Sequence, residues 1–149
     1  MRAVVQRVKR AEVRVEGRTI GRIGPGVLVM VAIAREDTRE TGKSLAEKIA
    51  SLRIFNDDQG RMNLDLREAG AAVLVVSEFT LYGDCRKGRR PSYIQAAPPG
   101  AARPLYHAFV ESISALGGQV ETGEFQAMME VELTNDGPVT LLLDSNRVF

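Results

Sequence analysis

The chain has 149 residues, with 20 Lys and Arg against 19 Asp and Glu for a net charge of +1; that length suits one domain, 1–149, and the near-neutral balance carries no general nucleic-acid or membrane signature. The single cysteine, Cys85, excludes an internal disulfide framework and multi-cysteine zinc sites and suits a reducing compartment. With no signal-like apolar segment at the start and no run approaching a membrane span, the expectation is a soluble, cytoplasmic protein whose RNA contacts, if any, come from a local patch.

Residues 3–8 and 11–15 read as strands, and in the second Ala11, Val13 and Val15 alternate with Glu12, Arg14 and Glu16, the pattern of a surface buried on one face. Gly17 and Arg18 turn the chain into a short strand over 19–23, and Gly24, Pro25 and Gly26 punctuate before an apolar strand over 27–33. From Thr38 the period becomes helical. Leu45, Ile49 and Leu52 share a stripe with Ala46 and Ala50, opposite Arg39, Glu40, Lys43, Glu47 and Lys48. Ile54 and Phe55 lead into Asn56, Asp57, Asp58, Gln59 and Gly60, turn-forming residues, and a hairpin-like excursion returns over 62–66. That acidic cluster lacks the ligand spacing and closing Glu of a calcium loop.

Val73, Leu74, Val75 and Val76 form a buried strand that runs into Ser77, Glu78, Phe79 and Thr80. If the chain stays extended, Ser77 and Phe79 share one face and Glu78 and Thr80 the other. A hydroxyl beside a carboxylate suits a nucleophile beside a base, although Thr is also an ordinary strand residue and a Glu at a strand end is usually solvated. Residues 82–103 make the longest irregular region, and loops of that length in compact domains tend to be functional or mobile. Arg86, Lys87, Arg89 and Arg90 gather there ahead of Pro91, Ser92 and Tyr93, a basic patch suited to phosphate.

Pro104 reads as the first residue of a second helix, with Leu105, Phe109, Ile113 and Leu116 on one face and Gly117 and Gly118 as its stop. His107 lies in that helix with no carboxylate placed to orient it, and Cys85 has no partner thiol. Neither is read as catalytic, and no metal or cofactor is expected. Strands over 120–125, 128–133 and 139–143 finish the chain, with Asn135, Asp136, Gly137 and Pro138 turning between the last two. Two helices against seven or eight strands, without regular βαβ alternation, give an α/β class: a single layered domain of mixed or antiparallel sheet with two helices packed on one face.

Ser77-Glu78-Phe79-Thr80-Leu81 and Asn135-Asp136-Gly137-Pro138-Val139-Thr140 resemble the paired signatures of the D-aminoacyl-tRNA deacylase family, as do Gln6-Arg7-Val8, Arg53-Ile54-Phe55, Met62-Asn63-Leu64 and Arg90-Pro91-Ser92, so the likeness covers nearly the whole chain. The resemblance implies a homodimeric hydrolase that cleaves the ester between a D-amino acid, or glycine mischarged on alanine tRNA, and the 3′-terminal adenosine. It implies that Ser77, Phe79 and Thr80 form the catalytic pocket for that adenosine and its aminoacyl group. Gly137 and Pro138, joined by a cis bond, would enter the pocket of the partner subunit, with Arg7 holding their loop. A rigid element there excludes an L side chain and lets glycine through, so selectivity lies in rejecting the wrong enantiomer. Glu78, Asn135, Arg86, Lys87, Arg89 and Arg90 fall to substrate or tRNA contact.

Two chemistries fit such a family: Thr80 as nucleophile, or water assisted by the terminal 2′-hydroxyl of the tRNA while the protein supplies geometry. With no histidine or lysine beside it Thr80 is a poor nucleophile, and backbone donors around the scissile carbonyl can stabilise the developing charge, which favours the second. The family pattern has glutamine at the position of Glu78, and a carboxylate there either points to solvent or attracts the substrate's ammonium. Two alternatives stand beside this. One is an RNA- or nucleotide-binding module without catalysis, resting on the basic patch and Tyr93. The other is a proofreading relative acting on small L-aminoacyl esters, for which the Gly137–Pro138 bond would be trans.

Overall fold

The computed structural model describes residues 1–149. Its frame is β1 (Arg2–Val15), whose first half pairs antiparallel with β3 (Gly26–Ala32) and whose second half pairs with β2 (Arg18–Ile23). β3 is followed in parallel by β6 (Ala72–Ser77), and β6 by β7 (Val120–Thr122). β8 (Glu130–Asp144) runs along the opposite edge of β1. β4 (Phe55–Asn56) and β5 (Met62–Leu64) form the separate hairpin anticipated from the turn-rich cluster. Asp57 caps its loop, its carboxylate accepting from the N–H groups of Gln59 and Arg61 at 2.9 and 3.0 Å.

Two pairs of strands expected to be separate are single strands. Lys9 and Arg10 are consecutive exposed residues in a strand that otherwise alternates, and the register against β8 shifts on either side of Val8. That is a bulge, which bends a strand without ending it. In the same way 128–133 and 139–143 fall largely within one strand, β8, which carries residues 136–139 as an irregularity between the Asn135–Val8 and Thr140–Gln6 pairs. Past the bend, the second half of β1 and β2 lie over the far face of β3 and β6, so that Val8, Ala11, Val13 and Ile23 bury against Leu28, Leu74 and Val76. Gly21 is required at this crossing, because a Cβ there would stand 2.6 Å from the Thr122 carbonyl oxygen. Both faces of β3 and β6 are thus covered, which is why their sequences are apolar throughout instead of alternating.

The other face carries both helices. α1 (Arg39–Ala50) is capped by Thr38, whose hydroxyl accepts from the Thr41 N–H at 3.2 Å, and it buries Leu45, Ala46 and Ile49. α2 (Pro99–Ala115) starts at Pro99 and not at Pro104. Pro98 and Pro99 take the cap and first helical positions, where a missing N–H is not needed. Pro104 falls in the second turn, and the carbonyl it leaves without a helical donor belongs to exposed Gly100. Tyr106, Phe109 and Ile113 pack into the main core with Val5, Val29, Val73 and Val75, and the Tyr106 hydroxyl donates to the Val75 carbonyl at 3.0 Å. No helix is long and apolar enough to cross a membrane.

Candidate active site

β6 is buried from Ala72 to Val76, and it ends at half-buried Ser77. The carboxyl end of such a parallel strand is where open α/β sheets place their ligands. The chain does not stay extended beyond it. Glu78, its N–H still bonded to the Val31 carbonyl at 2.8 Å, leads into a 3-10 turn over Phe79–Tyr82. Ser77 and Phe79 therefore do not share a strand face. Glu78 and Thr80 come together through the turn instead: the Thr80 hydroxyl donates to the Glu78 carboxylate. Phe79 and Thr80 are exposed, and as the first residues of the turn their N–H groups have no acceptor within it.

Long-range contacts hold the turn. Arg2 donates from Nη1 to the Leu81 carbonyl at 3.1 Å, from Nε to Asp144 at 2.9 Å, and lies 4.6 Å from the centre of the Tyr82 ring. Tyr82 is buried with its hydroxyl unpartnered, and burial first, then the Asp37 and Asp144 charges, push its phenol above the ordinary range. Sequence reasoning missed Arg2 and Tyr82. Their partners lie far along the chain, and no local spacing signals them.

The basic segment lies next to this turn. Asp84 and Ser92 bridge, with N–H···O distances of 2.8 and 3.0 Å, and close the loop between them. Arg86 is clamped bidentately on Asp84 at 2.8 and 2.7 Å, which holds the Asp84 carboxyl well below the usual range. Lys87, Arg89 and Arg90 are exposed, and none has an acidic partner. Of the four cations expected to meet phosphate, three are free and one is engaged internally.

Arg7 is buried, an uncommon place for a guanidinium, and its donors explain it. It bonds the Ile54 carbonyl and the Asp136 carbonyl, the latter at 3.1 Å, and it pairs with the Asp136 carboxylate at 3.1 Å. The segment it grips presents Asn135, Gly137 and Pro138 exposed, and the Gly137–Pro138 bond is cis, the isomer the resemblance implies. This segment does not meet Ser77 or Thr80 within the chain. Ser77 is in register with Val31, Ala3 and Leu143, whereas Gly137 lies beside Arg7. Four residues of rise and three strand spacings separate them by about 13 Å along the strands and about 14 Å across. His107 is exposed on α2 and Cys85 is exposed on the loop, its thiol donating only to the carbonyl of Gly83 at 3.9 Å, just past the turn.

A family model described as D-Tyr-tRNA(Tyr) deacylase matches residues 4–144. The chain belongs to the D-aminoacyl-tRNA deacylase family. D-aminoacyl-tRNA deacylases of Symbiobacterium thermophilum and Thermosipho africanus are each 58% identical to it over 149 residues, covering 100% of this chain and 99% and 100% of theirs. Among solved structures, the c-Myc DNA unwinding element binding protein superposes with a TM-score of 0.92 at 37% identity, over 97% of this chain and 98% of that one. A probable eukaryotic D-amino acid tRNA deacylase shares the fold, with a TM-score of 0.81 at 19% identity over 95% of this chain and 97% of that one. As a member of the deacylase family the chain is a hydrolase of the ester in aminoacyl-tRNA.

Proposed function

We propose that this deacylase proofreads chirality in the cytoplasm, releasing D-amino acids and glycine from tRNA and sparing L-aminoacyl-tRNA, with each active site built from two copies of the chain. The observation that carries this is the separation of two matched halves. The Ser77–Tyr82 end presents half-buried Ser77 and exposed Phe79 and Thr80 beside free cations, and the Arg7-held Gly137–Pro138 segment is exposed too far away to meet them within one chain. In a two-fold homodimer in which one projection enters the partner's pocket, the second projection enters the first pocket as well, because contacts across an isologous interface are reciprocal. The outer edge of β8 favours this too. It is a long strand with no neighbour on that side and with Leu142 61% exposed, a surface that needs covering.

Within the pocket the terminal adenosine lies on Ser77 and Phe79, the N–H groups of Phe79 and Thr80 face the scissile carbonyl, and the 2′-hydroxyl of that adenosine assists water. Gly137 and Pro138 of the second copy fill the volume an L side chain would need, and Asn135 lines the same projection. Glu78 has no cationic partner in the chain and offers its free carboxylate oxygen to the substrate's ammonium.

The test is to incubate the purified protein with D-tyrosyl-, L-tyrosyl- and glycyl-tRNA and follow loss of the ester. The expected result is loss of the D and glycyl esters with the L ester intact. Loss of small L esters with the D ester spared would point to the L-directed relative. A second reading, nucleic-acid binding without turnover, is favoured by the unpaired Lys87, Arg89 and Arg90 and by the likeness to the DNA unwinding element binding protein; it predicts retention of tRNA with all three esters intact.

A further inference from the structure

Beside Phe79 at the pocket turn lies a second aromatic ring, Tyr93, that the proposed adenosine site does not use. Tyr93 meets Phe79 edge-on, with ring centroids 5.1 Å apart and planes at 70°. Both remain open, Phe79 56% and Tyr93 38% exposed, beside Ile94 at 74%. Exposed apolar groups packed together beside a candidate site suit a binding surface. The Tyr93 ring is also held in place. Gly83, which follows the turn, leaves room for it where a Cβ would stand 3.1 Å from the ring. Ser92, just before it, is pinned by the bridge to Asp84, and the Ile94 carbonyl, just after it, accepts from Arg35 at 2.7 Å.

Tyr93 thus stands where the basic loop joins the pocket turn. A single strand that runs from the Lys87, Arg89 and Arg90 loop to a terminal nucleoside at Phe79 meets Tyr93 at the base of that loop, where Asp84 and Ser92 close it. Unpaired bases stack on aromatic rings while their phosphates pair with nearby cations, the usual pattern for single-stranded RNA. We propose that Tyr93, braced on Phe79, stacks the penultimate base of the tRNA 3′ end, the one next to the terminal adenosine, and so sets the path of the strand into the pocket. The proposal rests on the aminoacyl-tRNA reading above and adds a binding residue and a second nucleotide to it.

A double-mutant cycle tests it. Wild type and Tyr93→Ala are each given D-tyrosyl-tRNA with an intact end and with an abasic penultimate nucleotide. Removing the base raises KM at least about fivefold for wild type, and Tyr93→Ala raises it by a similar factor on the intact tRNA. The two losses do not add, since each removes the same contact. Tyr93→Phe keeps the ring and the wild-type KM. Additive losses, no loss, or a loss confined to kcat would overturn the proposal. Equilibrium affinity for the same uncharged tRNAs is measured alongside and needs no turnover. If wild type hydrolyses no D-tyrosyl-tRNA, the hydrolytic reading fails by itself, and the presence or absence of coupling in affinity still decides for or against Tyr93. Should Tyr93→Ala not fold, Tyr93→Leu, which keeps bulk without the flat face, replaces it.

Discussion

At Thr80 the hydroxyl proton is already committed to the Glu78 carboxylate. Glutamine, which the family resemblance implies at that position, can donate or accept, but a carboxylate only accepts. In this chain Thr80 is therefore the donor of the pair, and its lone pairs are left for a donor on the substrate. A hydroxyl donating to a carboxylate is also the arrangement of a nucleophile beside its base; on the water-assisted chemistry proposed above Thr80 is instead a positioning group, and the two roles differ in what its loss costs. Thr80→Ala is expected to lower kcat by about tenfold with tRNA affinity unchanged, whereas removing a true nucleophile costs about 10⁴-fold or more. Single-turnover hydrolysis of D-tyrosyl-tRNA separates the two, and complete loss of activity with normal binding would contradict the assignment. The Glu78–Thr80 adjacency was legible in the sequence, but through the wrong geometry. Period-two alternation predicted it on a strand, and the structure makes it on a turn that no glycine or proline within 77–81 announces. What fixes the turn is Arg2, 79 positions from Leu81.

Elements were read more securely than their ends. The apolar runs of β3 and β6 and the stripes of α1 and α2 follow from periodicity alone, since burial on two faces or on one stripe leaves no other pattern. The boundaries missed were those set by tertiary context: the bulge at Lys9 and Arg10 that keeps β1 whole, the continuity of β8 through Gly137 and Pro138, and the start of α2 at Pro99. The basic loop shows the same division. Its charges were visible as a cluster, but the clamp of Arg86 on Asp84 makes their roles unequal. Replacing Lys87, Arg89 and Arg90 together by alanine is expected to reduce the slope of log affinity for tRNA against log salt by about 2, at roughly 0.7 per phosphate contact on a single strand. Arg86→Ala is expected to leave that slope nearly unchanged. Titrations between about 50 and 200 mM salt read both slopes, and an equal drop for Arg86→Ala would show that all four cations reach phosphate.

At the scale of the whole molecule, one chain keeps its two signature stretches apart, and the reading of function depends on a second copy joining them. The sequence carried both stretches and, through the resemblance, their meaning. It carried no trace of their separation, which follows from the register of four strands. Gly137→Phe adds bulk at an exposed position whose nearest neighbour is only the end of the Asn135 side chain, so it is expected to leave its own fold intact and, on the shared-site proposal, to block the partner's pocket. Phe79→Pro removes one N–H from the turn at its first position, where proline is tolerated. Each variant alone is expected to be inactive on D-tyrosyl-tRNA. The deciding measurement is the activity of the two variants refolded together in equal amounts. A site shared between copies predicts recovery of about a quarter of wild-type activity, because half the dimers are mixed and each mixed dimer has one intact site; no recovery, with mixed dimers shown to form, would contradict it.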